Sequence, residues 1–217
     1  MIISYLAIDQ PTDSFSGVFS AQGGISCPNV DIGKERMKEN TLQAALVHNK
    51  IANIGTKNGW KDANTIIEAF SSGAGLDRPE LVFPSGTGVI GWSLPINNMV
   101  KTAETVYESS QNESMMPFAM GIMTTDTFPK IRATEIEGKH GNKIRLVATA
   151  KGAGMIAPNM ATLLVYVTTD ANVDRQFLNS FFPSVVDDTF NNISLDGVSS
   201  PADTALMMSS KKVRLFL

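Results

Sequence analysis

Apolar positions in this chain fall into short blocks divided by glycine, proline and polar clusters. That spacing predicts alternating strands and helices. Residues 2–8, 16–20 and 44–48 read as short strands. Asp62 suits the cap of a helix reaching about residue 70, with Ile66, Ile67 and Phe70 on one face. Residues 81–83 predict a short strand ahead of a glycine loop. The clearest helix is 95–110. Its Ile96, Met99, Val100, Ala103, Val106 and Tyr107 follow the 3.6-residue period, and Pro95 fits a first turn.

In the second half, 131–137 and 143–150 flank a glycine-bearing loop, which predicts a hairpin. Residues 163–169 are almost continuously apolar, as in a strand buried on both faces. A helix is expected from 173 to about 191, broken or kinked at Pro183. Leu206, Met207 and Met208 lie in a run that reads as a buried strand. The alternation predicts an α/β chain of layered sheets and helices. It leaves strand order open.

Composition narrows the classes. A chain of 217 residues can bury a sizeable core, and 43% hydrophobic with 18% charged residues is ordinary for a globular protein. A net charge of −3 offers no attraction to nucleic acid or an anionic membrane. No apolar run reaches membrane-span length, and the first residues lack a basic signal-peptide region. A single cysteine, Cys27, excludes an internal disulfide and suits a reducing cytoplasm. It reads as a small, partly buried thiol.

The tract Lys151-Gly-Ala-Gly-Met-Ile-Ala-Pro-Asn-Met-Ala-Thr162 is the most informative. A glycine loop runs into small Ala161, and Thr162 then opens the β-branched run 163–169. This layout suits a threonine whose hydroxyl attacks the carbonyl of Ala161 and leaves a hydrolysable ester. Thr162 would then be a new N-terminus. Its α-amine, with a pKa near ~8, lies within reach of its own hydroxyl as a general base. A plain glycine loop entering a buried strand is the simpler reading of the same residues.

Other motifs are weaker. Gly86-Thr-Gly-Val-Ile-Gly91 matches the dinucleotide fingerprint, with Glu104 and Glu108 near the expected acidic position. However, the helix opens four residues later, at Pro95, and no βαβ unit starts the chain. Nicotinamide or flavin binding is therefore not expected. Thr124-Thr-Asp-Thr127 reads as a turn. By residue type alone Lys151 reads as exposed. His48 and His140 are too few and too far apart to argue for a metal.

The 151–162 tract, followed by Thr168-Thr-Asp170, resembles the self-cleavage region of the ornithine acetyltransferases (glutamate N-acetyltransferases) of arginine biosynthesis. Gly86-Thr-Gly-Val-Ile-Gly-Trp-Ser-Leu-Pro95 and Met123-Thr-Thr-Asp-Thr-Phe-Pro-Lys130 are similar to further tracts of that family, in the same order. Ser16-Gly-Val-Phe19 and Asp203-Thr-Ala-Leu206 add weaker similarity. The resemblance implies the layered α/β fold of the self-processing family. It implies two segments, 1–161 and 162–217, divided at the Ala161–Thr162 bond. It implies acetyl transfer from N-acetylornithine to glutamate through a Thr162 acetyl-enzyme. Thr87 and Gly88 would hold the oxyanion, and Thr124 and Lys151 would bind substrate, with Thr125 as the fallback for Thr124. In the family the motif is Ser-Thr-Gly, whereas Gly86 separates Ser85 from Thr87 here.

No metal or cofactor is implied, although acetyl-CoA is a donor if the enzyme is bifunctional. The two chains are expected to stay associated, in a higher oligomer and in the cytoplasm. In the family the segment after the cleavage point is roughly as long as the one before it. The second half is therefore expected to be incomplete here, which keeps an inactive truncated member open. A self-processing, aminopeptidase-like hydrolase is the other alternative.

Overall fold

The computed structural model describes residues 1–20, 25–110, 113–138, 141–157 and 163–214. Ala161 and Thr162, the expected cleavage pair, lie outside the described residues, as does His140. Two sheets stack face to face, the first with two helices and the second with one on its outer side. The three-stranded sheet holds β1 (Ile3–Thr12), β3 (Leu42–His48) and β4 (Val82–Gly86), in the order β1-β3-β4. The five-stranded sheet holds β2 (Phe15–Phe19), β5 (Lys130–Glu137), β6 (Lys143–Lys151), β7 (Leu164–Asn172) and β8 (Thr204–Arg214). Its order is β2-β8-β7-β6-β5.

Each sheet contains one parallel pair, β3 with β4 and β7 with β8. Parallel neighbours need a crossover, and a helix supplies it in both cases. The first is α2 (Gly59–Gly73), whose Ala63, Ile66, Ile67 and Phe70 pack on Ile3, Ala44, Leu46 and Val82. The second is α5 (Arg175–Asp188), whose Phe182 and Val186 cover Val165 and Ala205. The alternate strand residues face inward. Leu6, Ala45, Val47 and Phe83 meet Phe15, Leu164, Tyr166, Leu206 and Met208 between the sheets. β7 is thus buried on both faces and in the middle of its sheet, which accounts for its unbroken apolar run.

Several element boundaries differ from the sequence reading. Asp62 does not cap α2: the helix begins one turn earlier, with Asn58 at the cap, and Asp62 sits in the first turn. A carboxylate there still suits the helix dipole. The expected 95–110 helix is α3 (Ile96–Thr105), followed by a tighter 3-10 turn at Val106–Ser109. Pro183 does not break α5, which continues past it. The carbonyl that loses its donor belongs to Asn179, which is exposed to solvent.

Two helices escaped the pattern: α1 (Pro28–Arg36) and α4 (Met116–Gly121). α1 buries Asn29, Gly33 and Arg36 among its apolar residues, so no clean stripe marks it. Arg36 is held there by donating from Nε to the Val82 carbonyl at 3.1 Å. α4 has only six residues, too few for a period. Among the described residues, no helix is long and apolar enough to cross a membrane.

Candidate active site

The loop after β4 carries the first two candidates. Thr87 donates its N–H to the His48 carbonyl at 3.2 Å, which extends the β3–β4 pairing by one step. Its side chain is buried, and among the described residues its Oγ1 has no hydrogen-bond partner. A buried hydroxyl left without a partner costs about 1–3 kcal/mol and calls for an explanation. Gly88 follows at φ +144. A Cβ there would stand 2.1 Å from the Lys50 carbonyl carbon and 2.2 Å from its oxygen. Only glycine lets this loop lie against the 49–51 turn, where Val89 donates to the Lys50 carbonyl at 2.9 Å.

That turn also reaches the Thr124 loop. Asn49 is buried and donates from Nδ2 to the carbonyls of Gly121 at 2.9 Å and Met123 at 3.0 Å. Lys50 has φ +77 and donates from Nζ to the Thr124 carbonyl at 3.4 Å. One turn therefore holds the Thr87–Gly88 loop through its backbone and the Thr124 loop through its side chains.

Asp126 carries the connection onward. Its carboxylate accepts from the Thr124 N–H at 3.2 Å, Lys130 Nζ at 2.6 Å and the Gly152 N–H at 2.7 Å. Burial would raise its pKa. The Lys130 hydrogen bond, with the two backbone donors, outweighs burial and holds it below the usual carboxylate range. Thr125 in the same motif is exposed.

Lys151 is the residue where the simplest expectation fails. It is not an exposed lysine: its relative exposure is 0%. In register it pairs with Leu164, which faces the core between the sheets. Paired residues share a face, so Lys151 points the same way. Burial drives its pKa down to about 8, with Asp126 and Asp203 opposing the fall. Asp203 precedes β8, is fully buried, and accepts from the Leu163 N–H at 2.8 Å. Leu163 is the residue after Thr162 in the chain.

Thr87, Gly88, Thr124 and Lys151 are therefore linked, through Lys50 and Asp126, into one connected region. Asp203 joins it to the start of β7. Asn49, Lys50 and Asp203 had no assigned role from sequence. A polar Asn-Lys pair ending a buried strand was the available signal for the first two. The acid inside the otherwise small-residue run Ser199-Ser-Pro-Ala-Asp203 was the signal for the third.

The Cys27 thiol and the His48 ring are both held in uncharged forms. Cys27 is buried, and burial pushes its thiol up to about 11, which leaves it unreactive. His48 is buried with Nε2 3.1 Å from Asn29 Nδ2. Burial lowers its pKa to about 4, so the ring is neutral at physiological pH. The amide donor fits an accepting Nε2.

The ArgJ family pattern matches residues 3–215. The arginine biosynthesis bifunctional protein ArgJ of Bartonella quintana is 34% identical over 213 residues, covering 97% of this chain and 50% of that protein. The glutamate N-acetyltransferase of Methanocaldococcus jannaschii is 37% identical over 199 residues, covering 90% and 49%. The chain spans about half the length of the curated relatives it matches. Among solved structures, ArgJ from Bacillus halodurans superposes with a TM-score of 0.62 at 26% identity, over 74% of this chain and 83% of that one. Ornithine acetyltransferase from Mycobacterium tuberculosis, complexed with ornithine, gives 0.60 at 21% identity, over 74% and 84%. The latter is a likeness of fold alone.

Proposed function

The chain belongs to the ArgJ family, and we propose on that premise that it carries the self-processing nucleophile of a glutamate N-acetyltransferase. The observation that carries this reading is Thr87. It is a buried hydroxyl donor without a partner among the described residues, on a loop held by the turn that also holds Thr124. A donor kept unpaired in the resting protein is available to an oxyanion that forms only during reaction.

The chemistry runs in two stages. In processing, Thr162 Oγ attacks the Ala161 carbonyl, the peptide C–N bond breaks, and water hydrolyses the resulting ester. This frees the α-amine of Thr162. In transfer, the same Oγ attacks the acetyl carbon of N-acetylornithine and its proton passes to that amine. The amide bond breaks as the amine protonates the leaving ornithine nitrogen. The glutamate amine then attacks the acetyl ester, its proton passes to the α-amine, and Thr162 Oγ is released and reprotonated. Thr87 Oγ1 and the Gly88 N–H donate to the oxyanion in each step. Lys151, charged below about pH 8, attracts the substrate α-carboxylate, and Thr124 contacts substrate beside it.

The segments 1–161 and 162–217 would remain together after processing. β7 and β8 come from the second segment, yet they pair with β6 and β2 from the first. Separation would break two strand ladders of one sheet, those on either side of the β8–β7 pair. Intact-mass spectrometry tests the reading: a fragment beginning at Thr162 is expected from the wild-type chain and none from Thr162→Ala. Cleavage that persists in Thr162→Ala would refute it.

A further inference from the structure

Three aspartates from three different places in the chain accept backbone N–H groups on the two sides of the expected processing bond. Asp126 takes the Gly152 N–H at 2.7 Å. Asp196 takes the Met155 N–H at 2.6 Å and the Ile156 N–H at 2.8 Å. Asp203 takes the Leu163 N–H at 2.8 Å. The backbone around them is anchored further: Leu195 donates to the Ile156 carbonyl at 3.0 Å, and Thr204 to the Leu163 carbonyl at 3.0 Å. Met155 itself sits at φ +58, a conformation that a side chain adopts only when its surroundings hold it there.

We propose that Asp196 and Asp203, with Asp126, are positioning residues that hold the backbone at Gly152, Met155, Ile156 and Leu163 so that the Ala161–Thr162 bond is presented for self-cleavage. The inference rests on the processing reading above. Its physical basis is orientation. An attack by a neighbouring hydroxyl gains rate only when the reacting atoms are already aligned, and a misplacement of about 1 Å costs ~10²-fold. A glycine-bearing loop does not supply that alignment, because glycine leaves the backbone free.

Carboxylates are suited to the task. As ionised acceptors they bind N–H groups more strongly than neutral oxygens do. The Met155 and Ile156 N–H donors hold Asp196 below the usual carboxylate range. Asp126 is held there as well, the Lys130 bond outweighing burial. Both clamps are therefore charged at neutral pH.

The test compares acceptor removal with acceptor retention. Asp196→Ala and Asp203→Ala remove the acceptor. Asp203→Asn keeps an oxygen that can accept the Leu163 N–H, whereas Asp196→Asn keeps only one of the two oxygens that accept from Met155 and Ile156. Appearance of the Thr162 fragment is followed by intact mass. Hydrogen exchange is followed in the peptides spanning 152–165. The alanine variants should form the fragment at least about tenfold more slowly and exchange faster there, while β7 and β8 beyond residue 165 stay protected. Asp203→Asn should recover both to within about threefold, and Asp196→Asn should fall between Asp196→Ala and the wild type. Equal cleavage rates in all variants, or Asp203→Asn as slow as Asp203→Ala, would overturn the proposal. Asp196 is exposed, so Asp196→Ala decides the matter if Asp203→Ala fails to fold: cleavage at the wild-type rate would overturn the proposal. A wild-type chain that never yields the fragment would refute the processing reading. Exchange in 152–165, which needs no cleavage, then decides the clamp: unchanged exchange in both alanine variants would overturn it.

Discussion

Replacing Thr87 by valine should raise stability while lowering activity. Valine has nearly the shape of threonine but exchanges the hydroxyl for a methyl group. Thr87 is 1% exposed, and its Oγ1 has no partner among the described residues. The native protein therefore carries the desolvation of that hydroxyl, about 1–3 kcal/mol, without a hydrogen bond in return. Removing it should stabilise by roughly 1–2 kcal/mol, after allowing for imperfect packing of the new methyl. Thr87→Ala loses the polar atom and also a methyl group, worth about 0.8 kcal/mol plus any cavity left behind. It should come out near neutral. On the proposed function, acetyl transfer from N-acetylornithine to glutamate should fall by about 10²–10³ in both variants, the usual cost of one oxyanion donor. Urea unfolding supplies the first quantity, from a midpoint shift at constant slope. Initial rates supply the second. If Thr87→Val is destabilised by a kcal/mol or more, the hydroxyl has a partner that stabilises the fold. If its kcat is unchanged, Thr87 is only a loop residue. Either result would refute the reasoning.

Gly88→Ala should destabilise by several kcal/mol, since its Cβ collides with the Lys50 backbone at φ +144. Gly91→Ala, at φ +84 with nothing within 4 Å, should cost only about 1 kcal/mol of backbone strain, and urea unfolding of the pair separates collision from strain. Burial depresses the Lys151 pKa from 10.5 to about 8. The folded state therefore releases this proton first, and the Lys151 contribution to stability should rise between about pH 8 and 10.5. If Lys151 binds substrate as proposed, capture by the same charge should fade above pH 8, and Lys151→Arg, which does not deprotonate, should remove that alkaline limb from the pH profile of kcat/KM. Phe70→Ala should cost about 3–5 kcal/mol by urea unfolding, because the ring is fully buried between α2 and the three-stranded sheet.

Local patterning determined much of this protein. The periods of α2 and α3, the alternating apolar blocks of β1 and β3, and the hairpin of β5 and β6 all follow from neighbours along the chain. The glycine-threonine motifs at 86–91, 123–130 and 151–162 carried the family and hence Thr87, Gly88, Thr124 and Lys151 as candidates. Three things were decided only in three dimensions. Strand order came from the pairing of β2 with β8, across almost the whole chain, and from two parallel pairs bridged by helices. Such pairings depend on which apolar faces meet, and no local period records that. Lys151 became a buried lysine because its register with Leu164 turned it toward the core. A shift of one residue would have turned it outward. The aspartate contacts join residues 26 to 41 positions apart. Backbone N–H groups look alike in every sequence, so only the folded chain shows which of them a carboxylate will find.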